Sequence, residues 1–211
     1  MKIGIIGAGY IGSTAAKLFA GAGHEVAISN SRGPETLDEL VGELGDNATA
    51  ATVEMARDFG EVVLIAIPLF KYTKLPTNGW DGKVVIDANN YYPERDGQIE
   101  ALDSGASTSS ELLAAHLPGA RIVKGFNTIW FQHLQSQGNR ELPLDQRRAI
   151  FIAGDDSEAK ETAARLIDEI GFSAVDTGFL REGGLRQQPG AEIYNKEISA
   201  KEAAAVLTAG A

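Results

Sequence analysis

The stretch MKIGIIGAGYIGSTAAKLF, residues 1–19, joins an apolar run to a glycine-rich turn and then to a helical pattern. Gly7, Gly9 and Gly12 fall in the spacing G-x-G-x-x-G, a weak signal in isolation. Its context strengthens it: a strand precedes it, a helix follows, and EVAIS at 25–29 closes a strand-helix-strand unit. In such a unit the first glycine permits a tight turn, the second lets the backbone approach a pyrophosphate, and the third lets helix and strand pack closely. The amides and dipole at the start of the helix then hold the anion. A glycine turn without a ligand is the plainer alternative, and the flanking strand and helix argue against it.

About twenty residues beyond such a loop, an Asp or Glu ordinarily accepts from the ribose hydroxyls and selects NAD. Here the region reads AISNSRGPETL, residues 27–37, with Ser29, Asn30, Ser31 and Arg32 where the acid would stand. A carboxylate repels a 2′-phosphate, whereas hydroxyls donate to it and a guanidinium clamps it in a fork. The loop therefore reads as NADP-type, with Asn30, Ser31 and Arg32 as cofactor residues; a solvated loop arginine is the competing reading of Arg32. Glu35 cuts against phosphate binding, but Pro34 suits a first helical position and lets Glu35 serve the helix N-terminus.

Further along, KIGIIG, EVAIS, VVLIAIP, KVVIDA, RIVKGFN, AIFIAG and SAVDTG are apolar almost throughout, as strands covered on both faces are. They alternate with helical spacing over 11–20, 35–44, 109–116 and 157–170, with Ser157 as an N-cap. This is an α/β chain with a Rossmann doubly wound parallel sheet and a small C-terminal α/β lobe: residues 1–142 form the NADP-binding domain and 143–211 complete the substrate site. Two long irregular segments, 89–107 and 178–196, read as binding loops or as plain connections.

The 211 residues suffice for a core that buries roughly 70% of the unfolded surface. With 44% hydrophobic residues, 23% charged and no cysteine, the composition is that of an ordinary globular chain and excludes thiol catalysis. A net charge of -10 argues against nucleic-acid and anionic-membrane partners, so an anionic cofactor needs a locally positive site. Val62 to Phe70, the longest later apolar run, is far below the ~20 residues of a membrane span. No signal peptide is legible, so the expected localisation is cytoplasmic and the NAT sequon at Asn47 is accidental.

Ligands of open parallel sheets bind beyond the carboxyl ends of the strands. Those ends carry Ile67 and Pro68, suited to a ring face, and Asn89, Asn127 and Thr128, of which the asparagines suit a carboxamide or a substrate carbonyl. Asp87 reads as a strand-end acceptor for loop amides. Tyr91, Tyr92, Trp130 and Phe131 read either as an aromatic acceptor pocket or as core packing. The three histidines form no triad or metal spacing, and Lys124 reads as a strand-end charge with a general-acid role as alternative. No catalytic side chain and no metal site is therefore expected. Hydride transfer between two aligned rings needs little proton chemistry.

Taken together, KIGIIGAGYIGSTAAKLFAGAGHEV, SNSRGPETL, VVLIAIP, KVVIDANNYYPERDG, TSSELLAAHLPGARIVKGFNTI and IAGDD resemble the NADP oxidoreductases that use the 8-hydroxy-5-deazaflavin coenzyme. The resemblance runs from Met1 to about Gly178 and implies a homodimer that passes hydride between NADPH and the deazaflavin. It implies that Gly9, Tyr10 and Ile11 lie against the pyrophosphate, that Ser31 and Arg32 hold the 2′-phosphate, and that Ile67, Pro68, Asn127 and Thr128 border the nicotinamide. DANNYYPERDGQIEALDSG and IWFQHLQSQ resemble a bacterial dinucleotide-binding branch, so the acceptor does not carry over. The chain also resembles the cytosolic domain of ferric-reducing membrane metalloreductases, whose acceptor is a flavin such as FMN or FAD. The expected function is NADPH-dependent reduction of a deazaflavin or flavin-like small molecule, with a noncatalytic NADPH-sensing module as the alternative.

Overall fold

The computed structural model describes residues 1–209. In order, the chain forms β1 (Lys2–Ile6), α1 (Tyr10–Gly21), β2 (Glu25–Ser29), a 3-10 turn (Pro34–Leu37), α2 (Asp38–Leu44), β3 (Ala48–Ala51), α3 (Val53–Phe59) and β4 (Val62–Ile65). A second 3-10 turn (Leu69–Lys74) leads to β5 (Val84–Asp87), the single-turn helices α4 (Pro93–Asp96) and α5 (Glu100–Asp103), α6 (Ser109–His116) and β6 (Arg121–Gly125). There follow α7 (Phe131–Ser136), a 3-10 turn (Leu144–Gln146), β7 (Ala149–Gly154), α8 (Ser157–Glu169), β8 (Ser173–Asp176), α9 (Leu180–Gln187) and α10 (Ala200–Ala209). None of the described helices is long and apolar enough to cross a membrane.

One eight-stranded sheet holds the fold, in the order β3-β2-β1-β4-β5-β6-β7-β8. All seven predicted strands are present. Their apolar character has the expected cause: successive side chains leave a strand on opposite faces, and both faces are covered. On β4, Val62 and Leu64 join the core beneath α1 and α8, while Val63 and Ile65 join the core that holds Trp80 and Leu113 of α6. β3 escaped the sequence reading because ATAA has no branched apolar run; it is an edge strand with mixed burial.

One junction departs from the parallel arrangement: β7 runs antiparallel to β6, with Lys124 opposite Ala153. The β6–β7 connection sends α7 against α1 instead of back across the sheet, and an antiparallel neighbour needs no crossover. β8 then pairs parallel with β7, so the strands that follow residue 143 extend the same sheet. The predicted N-cap of α8 moves by one residue: Asp156, not Ser157, accepts from the Ala159 amide at 3.0 Å. Arg121 grips the same carboxylate at 2.6 Å, which favours aspartate as the cap.

The segment 178–196 is not irregular throughout. α9 passes through Gly183 and Gly184, which suggested a loop because glycine disfavours helix interiors. The helix lies so close to β7 that a Cβ at Gly183 would stand 2.6 Å from both Ala153 Cβ and Thr177 Oγ1, whereas one at Gly184 would meet only ordinary contacts, the nearest at 3.7 Å. Gly183→Ala is therefore expected to destabilise the protein by about 1–3 kcal/mol through overpacking. Gly184→Ala should be neutral or stabilising by up to about 1 kcal/mol, since it removes a helical glycine at no steric cost. Urea unfolding of the two variants measures the contrast.

Candidate functional site

The carboxyl ends of β1, β4, β5 and β6 converge where the strand order reverses, at the β1–β4 pair. The glycine loop is shaped largely by the protein's own atoms. Gly7 has φ +111 and donates its N–H to the Ser29 carbonyl at 2.9 Å, and a Cβ there would run into the Ala66 carbonyl. A Cβ at Gly12 would run into the Gly7 carbonyl. Gly9, in contrast, faces open space. It is also the N-cap of α1 without any side-chain cap, and no acid stands in the first turn. The amides at the start of α1 are thus left for an acceptor from outside, which is what a pyrophosphate supplies.

Beside this loop lies a cavity of about 420 Å³, lined by Gly7, Gly9, Asn30, Ser31, Ile67 and Pro68 among others. Ser29 is fully buried and donates to the Ile5 carbonyl at 3.1 Å, so it serves the strand pair. Asn30 builds the turn. Its Oδ1 accepts from the amides of Arg32 at 2.8 Å and Gly33 at 3.0 Å, and its Nδ2 donates to Thr36 Oγ1 at 2.8 Å. Ser31 and Arg32 are left exposed at the tip. Glu35 curls over Gly33, its carboxylate filling the space a Cβ would take, and Gly33 has a φ of +112 that favours glycine.

On the other side of the strand ends, two buried amides are each anchored on one atom and, among the described residues, unpaired on the other. Asn89 Oδ1 accepts from the Ile67 amide at 2.9 Å, and its Nδ2 has no partner. Asn127 Nδ2 donates to Asn90 Oδ1 at 3.1 Å and to the Gln187 carbonyl at 2.8 Å, leaving Oδ1 without a partner. Thr128 Oγ1 is unpaired as well. Unsatisfied buried groups cost about 1–3 kcal/mol each, which makes this cluster at the strand ends a candidate contact for a ligand's polar groups. Phe126, at φ +64, holds an uncommon conformation; its ring packs edge-on to Phe19 in the core, and the turn presents Asn127 and Thr128.

Beneath Asn89 lies a buried ionic cluster. Asp87 accepts from the Asn89 amide at 2.9 Å, as a strand-end acceptor should, and from Ser110 Oγ at 2.6 Å. Lys124 Nζ stands 3.6 Å from Asp87 and donates to the Asn89 carbonyl at 3.0 Å, Ser110 Oγ at 3.2 Å and Ser109 Oγ at 3.3 Å. Burial pushes the Lys124 pKa down from its ordinary value, opposed by the attraction of Asp87. The lysine thus anchors the backbone that carries Asn89.

The four aromatic residues do not form one pocket. Tyr91 and Tyr92 line a separate cavity of about 370 Å³ between the two long loops, where the hydroxyls of Tyr92 and Tyr194 are hydrogen-bonded. Phe131 stacks on Tyr10 at 4.4 Å, and Trp130 is 59% exposed. The histidines are dispersed: His24 meets Glu169, His133 meets Glu197, and His116 meets the Leu75 carbonyl. Sequence reading missed Gln187, whose backbone orients Asn127, and Lys71 and Lys74, which line the 420 Å³ cavity. The lysines had a legible signal, since FKYTK directly follows the β4 exit; Gln187 had none.

Comparison with known proteins is consistent with this geometry. Residues 2–91 match the family model described as NADP oxidoreductase, coenzyme F420-dependent. The chain is 30% identical over 181 residues to the metalloreductase STEAP3 of Rattus norvegicus, covering 85% of this chain and 34% of that protein. It thus spans about a third of the length of the metalloreductases it matches. Among solved structures, a hypothetical protein of Sinorhizobium meliloti superimposes with TM-score 0.83 at 32% identity, covering 94% of this chain and 95% of that one. The fold is shared with a protein of Arthrobacter sp. FB24 provisionally named an F420-dependent NADP-reductase, with TM-score 0.71 at 24% identity over 85% of this chain and 86% of that one.

Proposed function

Since the chain belongs to the NADP oxidoreductase family whose model is described as coenzyme F420-dependent, we propose that it transfers hydride between NADP(H) and a flavin-type ring, either a deazaflavin or a flavin. The observation that carries this reading is the pair of orphaned amide atoms, Asn89 Nδ2 and Asn127 Oδ1, at adjoining strand ends. A nicotinamide carboxamide offers the complementary acceptor and donor. Bound there, NADPH supplies a hydride from its nicotinamide ring.

The chain's own residues then have distinct tasks. Asn89 and Asn127, with Thr128, orient the carboxamide; Ile67 and Pro68 give the ring an apolar wall. Gly9, Tyr10 and Ile11 present the uncapped amides of α1 to the pyrophosphate, while Gly7 and Gly12 keep loop and helix close. Asn30 shapes the turn on which Ser31 and Arg32 meet the 2′-phosphate. Alignment of this kind is the main requirement for transfer between two rings.

Purified protein mixed with NADPH and, separately, a deazaflavin, FMN or FAD should oxidise NADPH with at least one of them, followed by nicotinamide absorbance. No oxidation with any flavin, deazaflavin or quinone overturns the reading. Tight NADPH binding without turnover would assign the site to noncatalytic sensing instead.

A further inference from the structure

We infer that Lys71 and Lys74 form a second cationic arm for the ribose 2′-phosphate, facing the loop that carries Ser31 and Arg32. The inference rests on the reading of the 420 Å³ cavity as the NADP site. Both lysines line that cavity together with Asn30 and Ser31. They sit on the 3-10 turn Leu69–Lys74, where residues three apart are eclipsed, so both stand on one face. The turn is closed at its two ends by Lys71 N–H to the Pro68 carbonyl at 3.0 Å and Leu75 N–H to the Tyr72 carbonyl at 3.1 Å.

Charge sorting supports the assignment. The chain carries 29 acidic against 19 basic residues, yet none of the residues lining this cavity is acidic. In a protein of net charge -10 an anion is repelled from most of the surface, and a wall with two lysines and no carboxylate reverses the local field. Neither lysine is spent on a carboxylate: among the described residues Lys74 forms no ion pair, and Lys71 only lies over the Phe70 ring at 5.8 Å. A ribose phosphomonoester, a compact dianion, is the ligand group that such an arm recognises, and an exposed hydroxyl gives it nothing to hold.

The test is calorimetric titration of the full chain with 2′,5′-ADP and 5′-AMP, which differ only in the 2′-phosphate. Wild type should bind 2′,5′-ADP more tightly. Lys71→Gln and Lys74→Gln should each weaken it by up to about fivefold, and the double variant more, while 5′-AMP changes by less than about twofold. Both sites are on the surface, and unchanged melting temperatures confirm intact folds. Wild type that does not discriminate overturns the NADP reading and this inference together. Wild type that discriminates, with a double variant that discriminates equally or loses both ligands alike, overturns the inference alone.

Discussion

Asp87→Ala is expected to destabilise the fold by about 3–5 kcal/mol, because it strands a buried lysine without its counter-charge. Asp87 is fully buried and Lys124 is 2% exposed, so water cannot take over the missing role. For a chain of this size such a loss lowers the melting temperature by roughly 6–20 °C. Adding Lys124→Met should restore much of it, since removing both charges is far cheaper than removing one. The pH dependence has a definite sign. Without Asp87, burial acts unopposed on Lys124, so the unfolded chain holds this proton more tightly than the folded one. Stability of Asp87→Ala relative to wild type should therefore rise as pH increases toward the ordinary lysine range. Denaturant unfolding of the single and double variants across that range decides it, and a deficit independent of pH would show that Lys124 is not the strained group.

Arg32→Ala, alone and with Ser31→Ala, should weaken NADPH by about 1.5–3 kcal/mol, roughly tenfold to a hundredfold, and leave NADH nearly unchanged. The turn itself should survive, because Asn30 Oδ1 holds the backbone amides of Arg32 and Gly33 and no side-chain atom of Ser31 or Arg32 takes part. Among the described residues the Arg32 guanidinium has no carboxylate partner, so truncation costs the apo protein little. Direct titration of both nucleotides measures the difference; equal losses would refute a phosphate clamp. Asn30→Ala is a different perturbation, since it dissolves the turn that presents both residues.

Much of this protein was legible from local chemistry. Seven of the strands announced themselves as largely apolar runs because helices cover most of both sheet faces, and the glycine loop was readable because Gly7 and Gly12 answer to backbone contacts within a few residues of sequence or one strand away. The missing acid near Ser31 was equally plain, being an absence at a fixed spacing. Elements whose cause lies elsewhere in the chain were not legible. β3 is stabilised by its pairing with β2, and α9 keeps a glycine at 183 because β7 lies directly against it there.

The sheet, the glycine loop and the chemical types at the strand ends are thus set by local sequence, since each depends on periodicity or on neighbours along the chain. That Asn89 and Asn127 keep one free amide atom apiece follows from folding, because the atoms that occupy the others come from Ile67, Asn90 and Gln187. Folding alone also brought Lys71 and Lys74 to the wall that Ser31 shares, separated the aromatic residues onto different surfaces, and turned β7 against its neighbour. Hydrogen bonds and fields act over a few ångströms in space, and residues some 60 positions apart, such as Asn127 and Gln187, enter that range only once the chain has folded.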